Sequence, residues 1–290
     1  SNWNNITNET GSTYTAVAPA LANNGRQFRV VATNSEGSVN SNAATLTVNA
    51  APVNNTWQTA GRIGPVGGSI YHPKIAFDSL GNAIAIWMQG NAAPSTRYEL
   101  WANRYIAGSG WGTPQVIYPG VGFRVNWPQL GVDANGNAIV VWELIDDPYD
   151  PLPDIWSVSY STSTGWGTAV GIDNDTGAYG SSSPKLSVAA NGTAVAIWTQ
   201  GNGISVGNIL MATGSTGSGW GSPALLATAV IGQVGGPDAV LNATGNGIAT
   251  WSQLDGSNFT HRATPITSGT AGTAQAISTN YQIVATDALG

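Results

Sequence analysis

The chain of 290 residues contains no cysteine, which excludes disulfides, thiolate metal centres and cysteine nucleophiles. Histidine occurs only at His72 and His261, too few to argue a histidine metal site or a catalytic triad. Lysine is as scarce, and charged residues of all kinds make up 8% of the chain, against about 25% in an ordinary soluble domain. The net charge is −6 and no basic run exists, so nucleic acid is excluded as a partner: binding phosphates needs a basic surface. No stretch approaches the roughly 20 apolar residues of a membrane span. Helices are disfavoured as well, because their exposed faces normally draw on Lys and Glu.

In place of charge the chain carries Asn, Ser, Thr, 38 Gly and 12 Trp. That composition suits short strands joined by many turns, and so many tryptophans imply a packed core. The stretch Pro73–Trp87 (PKIAFDSLGNAIAIW) returns as Pro128–Trp142, Pro184–Trp198 and Pro237–Trp251, at intervals of 55, 56 and 53 residues. Each copy has Gly six residues before its Trp (Gly81, Gly136, Gly192, Gly245), and a Trp-Gly pair at 111, 166 and 220 falls between copies. Within one period the spacing predicts four strands: a at 74–77, b at 83–88, c at 98–106 and d at 111–118. Strand b reads as an unbroken apolar run in all four copies (AIAIW, AIVVW, AVAIW, GIATW), so it is expected to be buried on both faces in each. The periodic tryptophans are expected in the core, and the Trp-Gly set between blades.

Four antiparallel strands in such a period are the pattern of a β-propeller blade, and residues 57–290 resemble the broad class of bacterial surface or secreted propeller repeats. Four sets begin near 73, 128, 184 and 237. Ile283–Gly290 (IVATDALG) restarts the motif, so a fifth blade is expected to begin there, with further blades downstream. Trp57–Ile63 reads as a strand d lacking its own a, b and c. Ahead of a linker at 51–56, residues 1–50 contain Asn23–Val48 (NNGRQFRVVATNSEGSVNSNAATLTV), which resembles the last two strands of a bacterial immunoglobulin-like domain. On that resemblance Trp3 would be the core tryptophan, while Phe28 and Val30 stand where the tyrosine corner and second cysteine would be. The expected fold is therefore all-β: a partial Ig-like sandwich followed by an incomplete propeller of four-stranded blades.

Antiparallel blades put turns a–b and c–d on one side of the ring and connections b–c and d–a on the other. The first set is short and repetitive (DSLGN, DANGN, AANGT, NATGN), whereas the second varies in every blade. A ligand is expected on the varied face. Loop 143–154 carries Glu143, Asp146, Asp147, Asp150 and Asp154, a cluster able to supply oxygen ligands to calcium, although its plainer reading is a solvated acidic loop stiffened by proline. Trp127 breaks the repeat, its equivalents being His72, Ser183 and Gly236, and it lies near Arg124 at the entrance to strand a. Exposed, it could stack on a sugar; otherwise it is an aromatic packed into its loop. Trp127, Arg124, His72, Glu143 and Tyr149 are the candidate ligand-binding residues.

The Asp-x-x-Gly turn ahead of a Trp resembles the Ser-x-Asp-x-Gly-x-x-Trp turn of sialidase-type propellers, but the match fails: Asp78 to Gly81 is one residue too long and Trp87 follows too late. Asp78 and Asp133 become Ala189 and Asn242 in the other copies, which is turn chemistry. The leading expectation is a secreted or cell-surface modular protein, not an enzyme, that binds a glycan or a surface protein. The alternatives are a glycoside hydrolase, whose carboxylate pair would include Glu143 or Asp147, and a structural spacer in a surface array.

Overall fold

A computed structural model describes residues 3–6, 23–48, 60–90, 98–120, 124–145, 152–173, 179–201, 206–228, 234–255 and 258–279. The chain forms two compact units, 1–61 and 62–290.

In the first unit, β1 (Gln27–Phe28) pairs with β4 (Ala44–Thr45), and β2 (Val31–Asn34) with β3 (Gly37–Asn40), all antiparallel. Together they make one interrupted hairpin, joined at the break by a Ser41 N–H that donates to Val30 O. No second sheet faces it among the described residues, so the expected Ig-like sandwich is not seen there. Trp3 is 37% exposed, with the Arg29 guanidinium 4.4 Å from its ring centroid. It is a surface cation–π partner rather than a core residue.

The second unit consists of four sheets, one per repeat. Blade 1 contains β5 (Ile70–Phe77), β6 (Ala83–Gly90), β7 (Tyr98–Ile106), β8 (Gly110–Trp111) and β9 (Gln115–Tyr118). Blade 2 contains β10 (Arg124–Val132), β11 (Ala138–Ile145), β12 (Asp154–Ser161), β13 (Gly165–Trp166) and β14 (Val170–Gly171). Blade 3 contains β15 (Ser181–Val188), β16 (Thr193–Gly201), β17 (Val206–Ser215), β18 (Gly219–Trp220) and β19 (Ala224–Thr228). Blade 4 contains β20 (Val234–Leu241), β21 (Gly247–Asp255), β22 (Asn258–Thr267), β23 (Thr270–Ala271) and β24 (Gln275–Thr279). Each is antiparallel in sequence order, and the last two strands pair with the third. The expected strand d is thus split in two. In blade 1 the break falls at the residues following Trp111, where the Gly112 N–H still donates to Arg104 O and Pro114 has no N–H to give.

The a–b turns are copies of one device. Asp78 Oδ1 accepts from the N–H of Leu80 and Asn82, Asp133 Oδ1 from Asn135 and Asn137, and Asn242 Oδ1 from Thr244 and Asn246. Gly81, Gly136, Gly192 and Gly245 close these turns at φ between +81° and +89°, a region open to glycine at no steric cost. The Asn82, Asn137 and Asn246 Oδ1 atoms then accept from Ala107, Thr162 and Ser268 in the c–d turns. Turns a–b and c–d therefore share one side, as antiparallel blades require.

Blades pack face to face. Ile84, Ile86 and Met88 of blade 1 meet Ala138, Val140, Trp142 and Leu144 of blade 2. Ile139 and Val141 meet Ala194, Ala196 and Trp198 of blade 3, and Val195 and Ile197 meet Ala249 and Trp251 of blade 4. Strand b is accordingly buried on both faces in the first three blades. In blade 4 it alternates, with Ile248 40% exposed, because no described residue packs on its outward face. All four periodic tryptophans are at most 3% exposed. In the Trp-Gly set, Trp220 donates to Ser157 Oγ of the preceding blade and Trp166 packs against the core shared by blades 1 and 2 as well as on Tyr160, whereas Trp111 packs on Tyr105 of its own blade.

Trp57 lies outside the described residues, and 60–69 form no strand, so the expected lone strand d is not seen there. Residues 63–67 instead cover blade 1: Asn103 Nδ2 donates to Ile63 O, Gln89 Nε2 donates to Gly67 O, and Gly64 lies against the Trp87 ring.

Candidate functional site

The inner strand of every blade starts before its proline, at residue 70 rather than 74 in blade 1, and breaks register there. The shifts fall between Tyr71 and Lys74, Asn126 and Gln129, Ser182 and Lys185, and Gly235 and Asp238. At each bulge the residue before proline is left-handed: His72 (φ 49°), Trp127 (φ 50°), Ser183 (φ 58°) and Gly236 (φ 57°). All four are exposed, while Pro128, Pro184 and Pro237 beside three of them are buried. The bulge thus turns one side chain per blade out of the sheet while the proline anchors the strand. Only Gly236 takes this conformation freely; an L residue there is strained by roughly 1–2 kcal/mol.

On blades 1 and 2 these positions hold a pair of aromatics. The His72 and Trp127 rings lie 4.9 Å apart at 54°, and Trp127 is 53% exposed. It sits within β10, so it is not a packed loop aromatic. Next to His72, the Tyr71 ring meets Tyr98 edge-on at 5.3 Å. A hydrogen bond with Tyr71, aided by partial burial, raises the Tyr98 phenol above its ordinary value; Arg124 nearby pulls it the other way. Arg124 opens β10 and is exposed. Trp127, His72 and Arg124 therefore gather on one rim with two tyrosines not singled out in the sequence.

Glu143 sits behind this row, 7% exposed. Its Oε1 accepts from Asn126 Nδ2 at 3.1 Å, and its Oε2 accepts from the Ser183 N–H at 3.3 Å. One carboxylate thus ties the residue before Trp127 to the left-handed residue of the next blade. Blades 1, 3 and 4 have Met88, Thr199 and Ser252 at this position. Thr199 repeats the tie in part, donating to Ser182 O.

Tyr149, Asp146, Asp147 and Asp150 lie outside the described residues. Asp154 is half-buried at the start of β12, opposite Leu144. Among the described residues no three His, Asp or Glu side chains cluster as metal ligands. A cavity of about 330 Å³ lies between blades 3 and 4, lined by Met211, Thr213, Trp251 and Thr264 among others. It holds no ionisable side chain and is remote from the aromatic row, so it is a packing gap rather than the site.

These four-stranded blades, packed in sequence about their inner strands, define an all-β, propeller-type fold. No family model matches the sequence, and no curated protein matches it. Solved structures do. An ulvan lyase of polysaccharide lyase family 25, bound to -[GlcA(1-4)Rha3S]-, superposes with a TM-score of 0.50 at 11% identity, over 71% of this chain and 55% of its own. A protein of unknown function from Dyadobacter fermentans gives 0.49 at 10% identity, over 83% and 71%. An α-L-arabinanase from Penicillium chrysogenum, complexed with arabinobiose, gives 0.44 at 15% identity, over 71% and 66%. The chain spans little more than half the length of the ulvan lyase. At these identities the likeness concerns the fold alone.

Proposed function

We propose that this chain binds a glycan on the rim formed by the b–c and d–a connections, and that His72 and Trp127 are the sugar-stacking platform. The observation that carries this reading is the exposed aromatic pair, held in a left-handed conformation that glycine would adopt without strain. Strain kept at an exposed position points to use of the side chain displayed there. Aromatic faces suit the apolar faces of sugar rings, and Tyr71, Tyr98 and Arg124 supply polar groups beside them. Glu143 is a positioning residue, holding the inner strands of blades 2 and 3 at the two bulges. That the similar ulvan lyase was solved with a saccharide bound is in keeping with this reading. A secreted or cell-surface setting would place the rim where such ligands occur, and calcium held by the 143–154 loop remains part of the proposal.

Binding is tested by titrating glycan arrays, with and without calcium, against the wild type and Trp127→Ala. Saturable binding that Trp127→Ala abolishes is the expected result; binding unaffected by the substitution overturns the assignment of the platform.

The second reading, a glycoside-active enzyme, draws on one observation, the buried Glu143 carboxylate at the same rim. A two-carboxylate mechanism needs a partner roughly 5–10 Å away. Release of new reducing or unsaturated ends from polysaccharides, lost in Glu143→Gln, would favour the enzyme over the binder.

A further inference from the structure

We propose that the ligand is a linear oligosaccharide that runs along the row of inner strands, entering over His72 and Trp127 and continuing across Ser183 and Gly236. This deepens the glycan reading and rests on it. The four positions are equivalent by repeat, by backbone (φ between 49° and 58°) and by exposure. Blades 1 to 4 follow one another with β5, β10, β15 and β20 innermost, so the four side chains form an ordered series along one rim. What changes along it is bulk. Two large aromatics come first, then a hydroxymethyl group, then a hydrogen atom.

The low end is open. A Cβ built on Gly235 or Gly236 meets no atom within 4 Å, so no packing demand explains the glycine at 236. The left-handed conformation favours glycine at 236, as it would at 72, 127 and 183, yet of the four positions only this one uses it. A wall of two rings that drops onto a clear floor suits a chain whose first unit stacks and whose later units pass over small residues. A compact or terminal monosaccharide would contact the wall alone. Ser183 also stands at the join, its N–H held by Glu143 Oε2, which leaves its hydroxymethyl group on the floor. On this inference Ser183 and Gly236 set the length of ligand accepted, and His72 and Trp127 set whether one is accepted.

The test uses Ser183→Trp and Gly236→Trp in the full chain, with folding checked by circular dichroism and thermal melting. Trp127 shows that an indole is accommodated in this backbone geometry, and the open space around Gly236 makes that variant the safer of the two. Calorimetry with linear arabino-, xylo- and glucurono-rhamno-oligosaccharides, from the disaccharide upward, measures affinity against length. For the wild type, affinity should climb with length and then level off. In Gly236→Trp the gain from the longest members should fall by about tenfold, with disaccharide affinity unchanged; in Ser183→Trp the loss should begin at shorter members. If both tryptophan variants keep the wild-type length dependence while Trp127→Ala still abolishes binding, the linear path is wrong and the aromatic platform stands. If the wild type binds no member of any series or of the array, the glycan reading fails and the path with it.

Discussion

Trp127 is the residue at which the proposed site works against the fold. Its left-handed conformation strains an L side chain by about 1–2 kcal/mol, of which glycine's greater unfolded-state entropy would take back roughly 0.5–1. Trp127→Gly is therefore expected to leave thermal stability unchanged or slightly raised while removing glycan binding. Thermal melting and calorimetry on the same preparation check the two halves separately. Glu143 predicts the opposite pattern. Glu143→Ala leaves the Ser183 N–H and the Asn126 amide without their acceptor, at about 1–3 kcal/mol if the site stays dry; Glu143→Gln keeps an acceptor and should lose less in urea unfolding. Asp78 supplies a pH dependence. Burial would raise its carboxyl, but hydrogen bonds from the Asn82 side chain and from the N–H groups of Asn82 and Leu80, with the Arg104 charge nearby, hold it below its ordinary value. A depressed folded-state value makes its contribution full above the unfolded value of about 3.9 and lost as pH falls through the folded one. Asp78→Asn, the residue that blade 4 uses at Asn242, should be slightly less stable than wild type at neutral pH and converge with it in acid, as denaturant midpoints from pH 2 to 7 would show.

At the scale of the strand and turn, much of the structure could be read in advance. The Asp-x-x-Gly-Asn turns and apolar b strands follow from local chemistry, and they formed where the repeat put them. Other features could not be read so. Proline seemed to start strand a, because it disfavours a central strand; instead it sits at a bulge, where no ladder bond is required of it. Equivalence of His72, Trp127, Ser183 and Gly236 was visible, but not their left-handed backbone, since nothing in His or Trp announces a conformation they disfavour. The Tyr71–Tyr98 contact joins β5 to β7 across the intervening β6, which no local pattern encodes. The N-terminal hairpin was legible because turns are local; the sandwich expected around it, which depends on sheet packing, is not seen among the described residues. Core tryptophans differ in a way that a substitution can expose. The indole N–H of Trp87 donates to Gln89 Oε1, and Trp251 likewise to Gln253, whereas in blade 2 Leu144 takes that place and Trp142 Nε1 is buried without a partner. Gln89→Leu would orphan both the Trp87 N–H and Gly67 O; a loss of about 1–3 kcal/mol in chemical unfolding is expected.

Across the whole second unit, the repeat shows what each position is for. Leu130 and Val132, and Leu186 and Val188, pack into the core that their blade shares with the one before. Their counterparts in blade 1, Ile75 and Phe77, are 54% and 62% exposed. An apolar face of this kind favours association. Paired Ile75→Lys and Phe77→Lys substitutions should suppress concentration-dependent self-association, followed by light scattering, without lowering the melting temperature.

The a–b turns join blade to blade along a single rim. Ser79 Oγ donates to Ala134 O, the Ala134 N–H to Ala190 O, and the Asn191 N–H to Ala243 O. The aromatic row belongs to the opposite rim, where the comparable ties among the described residues join blades 2 and 3 alone: Glu143 Oε2 accepts from the Ser183 N–H, and the Ser181 N–H donates to Pro153 O. Blades 1 and 2 are therefore bound along one margin like the leaves of a book, and a pull or a wedge would part them first along the margin that displays His72 and Trp127.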